Sequence, residues 1–152
     1  MGFIKHIIEK RNDRIKASND LCDAYIEYMN SAIDEINTLL SNKTEFVDPD
    51  FVNQWCNKHG HMIDEIKNDA LKGTKKAQTF KQLLVIQADF IQCAGLLKAK
   101  IAEHNNQVAN SKVQSAYAIM GNVEGRKLDK QQMLCILKEA HNHLVIAGAG
   151  TG

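Results

Sequence analysis

Helix-breaking residues are almost missing from the first part of this chain. Pro49 is the only proline in 152 residues, and no glycine occurs between Gly2 and Gly60. Without those residues the chain has little means of turning tightly, and long uninterrupted helices are favoured over strands and turns. From Ile4 the apolar residues Ile8, Ile15, Cys22, Ile26, Met29, Ile33, Ile36 and Leu40 recur at threes, fours or their sum. Polar Arg11 and Ser18 interrupt the same stripe. That spacing predicts one amphipathic helix ending near Ser41. In "FVDPDF", Asp48 is predicted to cap a second helix with Pro49 at its first position. Its face runs through Phe51, Val52, Trp55, Met62, Ile63, Ile66 and Ala70 towards Gly73, with Gly60 a weak point inside it. A third run is predicted from near Thr74 to about Met120, where Gly121 supplies a stop. It carries Leu83, Phe90, Ala94, Leu97, Ile101 and Val108 in a heptad-like seam, with Gln87 and His104 as polar members.

Two helices of roughly 40 residues would each be about 60 Å long, too long for a compact globule of this size. The expected fold is therefore mainly α, a long antiparallel, coiled-coil-like helical hairpin forming an elongated arm. Tyr25, Tyr28, Trp55, Phe80 and Phe90 fall on or beside the stripes and read as its core. Charge adds no strong direction: 19 Lys and Arg against 18 Asp and Glu leave +1, so any contact with nucleic acid or anionic lipid must be local. Cys22, Cys56, Cys93 and Cys135 include no CxxC pair and read as reduced thiols, which favours the cytoplasm. The N-terminus "MGFIKHIIEKRNDR" lacks the apolar stretch of a secretion signal, and no segment is expected to span a bilayer.

After "GNVEGRK" the pattern changes. Leu128 and Asp129 introduce a short helix through "KQQMLCILKEA", and "HLVIA" is an apolar run rich in strand formers. A boundary is expected near Gly125, dividing a helical arm (1–124) from the start of a second domain (125–152). The chain closes on "LVIAGAGTG". In a phosphate-binding loop, a strand leads into a glycine-rich turn whose N–H groups point at phosphates, a following Lys reaches the β- and γ-phosphates, and Ser or Thr holds Mg²⁺.

"LVIAGAGTG" resembles the start of the Walker A motif of superfamily 1 helicases of the UvrD/Rep type, read as AGxGxGK[ST]. Ala147, Gly148, Ala149, Gly150, Thr151 and Gly152 match its first six positions. "LDKQQMLCI" is similar to that family's Q motif, in which a Gln ahead of the phosphate loop reads the adenine edge; by position that residue is Gln132, with Gln131 the less favoured choice. "AEHNNQVAN" resembles the helicase-IV-like branch, which often carries a His-Asn pair before the Q motif; His104 and Asn105 receive no catalytic role. The matches cover about residues 102–152. They imply the N-terminal part of an ATP-dependent DNA helicase, ending inside the Walker A motif, whose intact form uses ATP and Mg²⁺ to move along single-stranded DNA and unwind duplex. The fragment itself is expected to be inactive, because the catalytic Lys, the acidic Mg²⁺-binding pair and the arginine finger are not in it. The DNA partner would be held by the motor domains, and a protein partner is the alternative for the arm. Two rival readings are another P-loop ATPase with a helical prefix and a non-enzymatic helical hairpin that binds a protein.

Other residues carry weaker signals. Cys56, His59 and His61 in "CNKHGH" are metal-ligand types, but no second pair has zinc-site spacing, so a helix-face Cys and two exposed histidines are expected instead. His141 and His143 are read as ending a helix, not as chemistry. Basic residues gather at Lys10, Arg11, Arg14 and Lys16 and again at Lys72, Lys75, Lys76 and Lys81. Without interleaved aromatics, both groups read first as solvated helix faces.

Overall fold

The computed structural model describes residues 2–67, 73–120, 122–123 and 126–137, and these are mainly α. Helix α1 spans Gly2–Ser41, α2 Phe51–Lys67, α3 Phe80–Met120 and α4 Lys130–Leu137. Between α3 and α4, β1 (Asn122–Val123) pairs antiparallel with β2 (Arg126–Lys127), Asn122 opposite Lys127 and Val123 opposite Arg126. The expected boundary near Gly125 and the strand expected over residues 143–147 lie outside the described residues.

The chain divides into two compact units. The first comprises Met1–Thr38 and Val52–Leu97, the second Leu39–Phe51 and Lys98–Gly152. In the first unit, α1 and α2 run antiparallel. As α1 rises from Tyr25 through Tyr28 to Ala32, the partners on α2 fall from Glu65 through His59 to Trp55. Three helices meet at Trp55, which is 1% exposed. Its indole N–H donates to the Ala32 carbonyl on α1 at 3.2 Å, and its ring lies 5.6 Å from that of Phe90 on α3. The expected two-helix hairpin gave α2 too small a part, since Trp55, His59 and Met62 make it a full contributor to the core.

Helix α3 starts six residues later than predicted. Residues 74–79 form tight turns, with the Ala77 N–H on the Thr74 carbonyl and the Phe80 N–H on the Ala77 carbonyl. Side chains of α1 hold them: the Asn19 Oδ1 accepts the Gln78 N–H, and the Thr79 hydroxyl lies 2.9 Å from an Asp23 carboxylate oxygen and 3.3 Å from the Cys22 Sγ. Tertiary hydrogen bonds override the local helical pattern here. Asp48 caps the start of α2 as expected: its side chain accepts the Asp50 N–H and its carbonyl accepts the Phe51 N–H, with regular helix beginning at Phe51, two residues after Pro49. In α1 the buried stripe is Ser18, Cys22, Met29, Ala32 and Ile36, whereas Ile33 is half-buried and Ile8 is exposed.

By length and composition alone α3 is apolar enough to cross a membrane, so the expectation that no segment reaches that length is corrected. Its apolar content is spread around the helix. Leu83, Phe90 and Leu97 are buried, while Leu84, Val85, Ile91 and Leu96 are exposed.

Gly60 and Gly95 both sit inside helices, and a Cβ added at either meets nothing within 4 Å. Alanine relieves the backbone-entropy cost of a helical glycine, so Gly60→Ala and Gly95→Ala are each expected to stabilise the fold by about 0.5–1 kcal/mol. Urea midpoints measure this, and an unchanged or lowered midpoint for both contradicts it.

In the second unit, Val113 and Ala116 on α3 and Met133 on α4 form a buried cluster, with Tyr117, Leu128, Leu134 and Leu137 packed against it. This cluster seats α4 on the C-terminal part of α3.

Candidate functional site

The one site residue expected from the Q-motif resemblance that falls among the described residues is Gln132. It lies in the first turn of α4 in a reciprocal cap. The Asp129 carboxylate accepts the Gln132 N–H at 2.8 Å, and the Gln132 carboxamide oxygen accepts the Asp129 N–H at 2.9 Å. This is a capping box with Asp as the first member and Gln as the fourth. The next residue, Met133, is fully buried against α3, so the helical turn carries Gln132 round to an exposed position. The side chain is thus fixed from both sides, by Asp129 at its oxygen and by Met133 through the backbone. The cap uses one lone pair of a group that has two acceptor and two donor positions, so capping and nucleotide contact are compatible. Gln131 is exposed as well. Ala147, Gly148, Ala149, Gly150, Thr151 and Gly152, together with His141 and His143, lie outside the described residues.

The His-Asn pair has a clear structural task within the second unit. Asn105 on α3 grips Val47 at both backbone groups: its Oδ1 accepts the Val47 N–H at 2.8 Å and its Nδ2 donates to the Val47 carbonyl at 2.7 Å. His104, 4% exposed, bonds the Glu45 carbonyl through Nε2 at 2.9 Å. A carbonyl can only accept, so Nε2 carries the proton. Lys112 adds a cation–π contact, its Nζ 4.8 Å from the Phe46 ring centre. Three successive residues of the α1–α2 loop are therefore held from α3. No sequence rule marks an Asn as a loop clamp; its position one residue after the seam's His104 was the only hint.

The "CNKHGH" segment also departs from expectation. Cys56 and His61 are exposed, but His59 is buried. Its ring lies 4.8 Å from Trp55, its Nδ1 is 2.8 Å from the Tyr28 hydroxyl, and its Nε2 is 3.1 Å from Glu35, which also takes the Lys58 ammonium at 2.8 Å. The spacing 55, 59, 62 on one helix face was the signal that placed His59 inside. Hydrogen bonds from Lys58 hold the Glu35 carboxyl below its ordinary value against the opposing effect of burial, with His59 adding to them. Its stabilising contribution is present above the ordinary value of 4.5 and is lost as pH falls through the lowered one. Burial pushes the Tyr28 phenol up, so it keeps its proton at neutral pH and supplies no nucleophile. The Tyr28–His59–Glu35 chain is a satisfied core network. Among the described residues no group of three His, Cys, Asp or Glu is placed to hold a metal ion.

Comparison with protein-family models, with curated proteins and with solved structures finds no match to this chain.

Proposed function

We propose that this chain is the N-terminal part of an ATP-dependent DNA helicase of the superfamily 1 UvrD/Rep type, in which ATP hydrolysis drives movement along single-stranded DNA and duplex unwinding. One observation carries the reading: an exposed glutamine, Gln132, fixed in the first turn of a short capped helix, stands 15 residues ahead of the glycine-rich AGAGTG. Its carboxamide has the paired donor and acceptor that the adenine edge requires. Backbone N–H groups of Ala147 to Gly152 would wrap the phosphates, and Mg²⁺ bound with ATP would neutralise phosphate charge. The long α1 and α3 helices fit a helical arm ahead of the motor. The resemblance places Lys and then Ser or Thr directly after Gly152 in a longer reading frame, and any other residues there remove the proposal.

The test uses a chain extended through its motor domains. Gln132→Glu keeps an acceptor for the Asp129 N–H, so the cap survives, but a carboxylate cannot donate to adenine. KM for ATP is expected to rise about tenfold, the equivalent of one hydrogen bond of about 1.4 kcal/mol, with the melting temperature unchanged. Gln131→Glu is expected to leave KM unaltered. Equal KM values for the Gln132→Glu and parent proteins overturn the adenine assignment. The 152-residue chain alone, without the Lys charge, is expected to show no ATP binding at micromolar concentrations in a calorimetric titration.

A further inference from the structure

The two basic stretches, some 60 positions apart in the chain, converge in the first unit. Lys10, Arg11 and Arg14 on α1 and Lys76 from the turn before α3 line one cavity of about 600 Å³, with Ile7 and Ile15 completing its walls. On α1, at about 100° per residue, positions 7, 10, 11, 14 and 15 fall within one arc of about 140°. Glu9 lies on the opposite side of the helix, and Asp13 falls outside the arc, about 60° beyond Lys10. All four cations are exposed and able to reach a ligand. The chain as a whole carries only +1, so this concentration of like charge is local.

We propose that this cavity binds the phosphodiester backbone of duplex DNA. Four fixed positive charges in a concave site form an anion receptor, and apolar walls of isoleucine concentrate the field on whatever enters. Arg11 and Arg14 present planar forks that match phosphate oxygens in pairs, while Lys10 and Lys76 act as point charges. The volume exceeds what a single phosphate fills, which suits a run of phosphates along a strand. Among the described residues no aromatic side chain lines the cavity, so these offer unpaired bases no stacking platform, and the charges suit the backbone of an intact duplex. The proposal stands on charge and geometry in the first unit and does not depend on the ATP loop.

The test is equilibrium binding of the 152-residue chain to a labelled duplex of about 20 base pairs, without ATP, across a KCl series. Four phosphate contacts give a plot of log K against log salt with a slope of about −3.6, and each cation removed lowers its magnitude by about 1. Arg11→Gln should therefore reduce the slope by about 1 and the Arg11→Gln, Arg14→Gln double variant by about 2. Arg11→Lys, which keeps the charge, should retain the parent slope, and Lys43→Gln, in the α1–α2 loop, should also leave it unchanged. Circular dichroism on each variant confirms that the helices persist. The proposal is overturned if the double variant keeps the parent slope, if Lys43→Gln loses as much, or if a polyglutamate peptide displaces the duplex as effectively as unlabelled duplex does. That last result assigns the cavity to an acidic protein segment.

Discussion

Trp55→Ala is expected to lower the stability of the first unit by about 3–5 kcal/mol, the cost typical of emptying a large aromatic from a core. Its loss opens a cavity against Phe90, strips the Ala32 carbonyl of its indole donor, and exposes one face of His59, whose position between Tyr28 and Glu35 depends on that support. Domains of this size are stable by about 5–15 kcal/mol in total, so the variant should melt far below the parent. Leu97→Ala, also at a fully buried position, should cost about 2–5 kcal/mol. Ile33→Ala, at a half-buried position, should cost distinctly less. Urea unfolding followed by far-ultraviolet circular dichroism ranks the three, and an Ile33→Ala loss equal to that of Trp55→Ala shows that the core lies on a different face of α1.

Asn105→Ala is expected to destabilise the second unit by about 2–4 kcal/mol. The substitution removes two hydrogen bonds and leaves both backbone groups of Val47, a residue only 5% exposed, without their partner. Each buried group so abandoned costs about 1–3 kcal/mol. The effect should be concentrated in the loop, so trypsin should cut after Lys43 faster in Asn105→Ala than in the parent. Cleavage at the parent rate together with an unchanged melting temperature shows that the clamp contributes nothing.

Sequence reading was strongest where local chemistry decides the outcome. Periodicity and the scarcity of glycine placed the ends of α1 at Ser41 and of α3 at Met120, and Asp129 announced α4. It failed where a distant partner decides. The pattern around residues 74–79 is helical, yet Asn19 and Asp23 claim its donors and hold it as turns. His59 read as a surface residue because histidine alone does not reveal a buried hydroxyl and carboxylate waiting for it. Gln132 was legible as a position but not as a capping residue, since the box uses Asp where Ser or Thr is the usual sign.

The grip of Asn105 on Val47 also bears on the order of folding. The two residues stand 58 positions apart, and closing a loop of that length costs about 3–4 kcal/mol of chain entropy before any contact repays it. At about 5–20 residues per second, synthesis delivers Asn105 roughly 3–12 s after Val47, whereas helical turns form in microseconds or less. The α1–α2 loop therefore leaves the ribosome long before its clamp exists, and in the refolding of the full chain the entropy cost of so distant a closure predicts that its final shape is again a late event. A contact made after the barrier is crossed affects the rate of leaving the native state and not the rate of reaching it. Asn105→Ala should accordingly speed unfolding in denaturant-jump experiments while the refolding rate stays close to that of the parent.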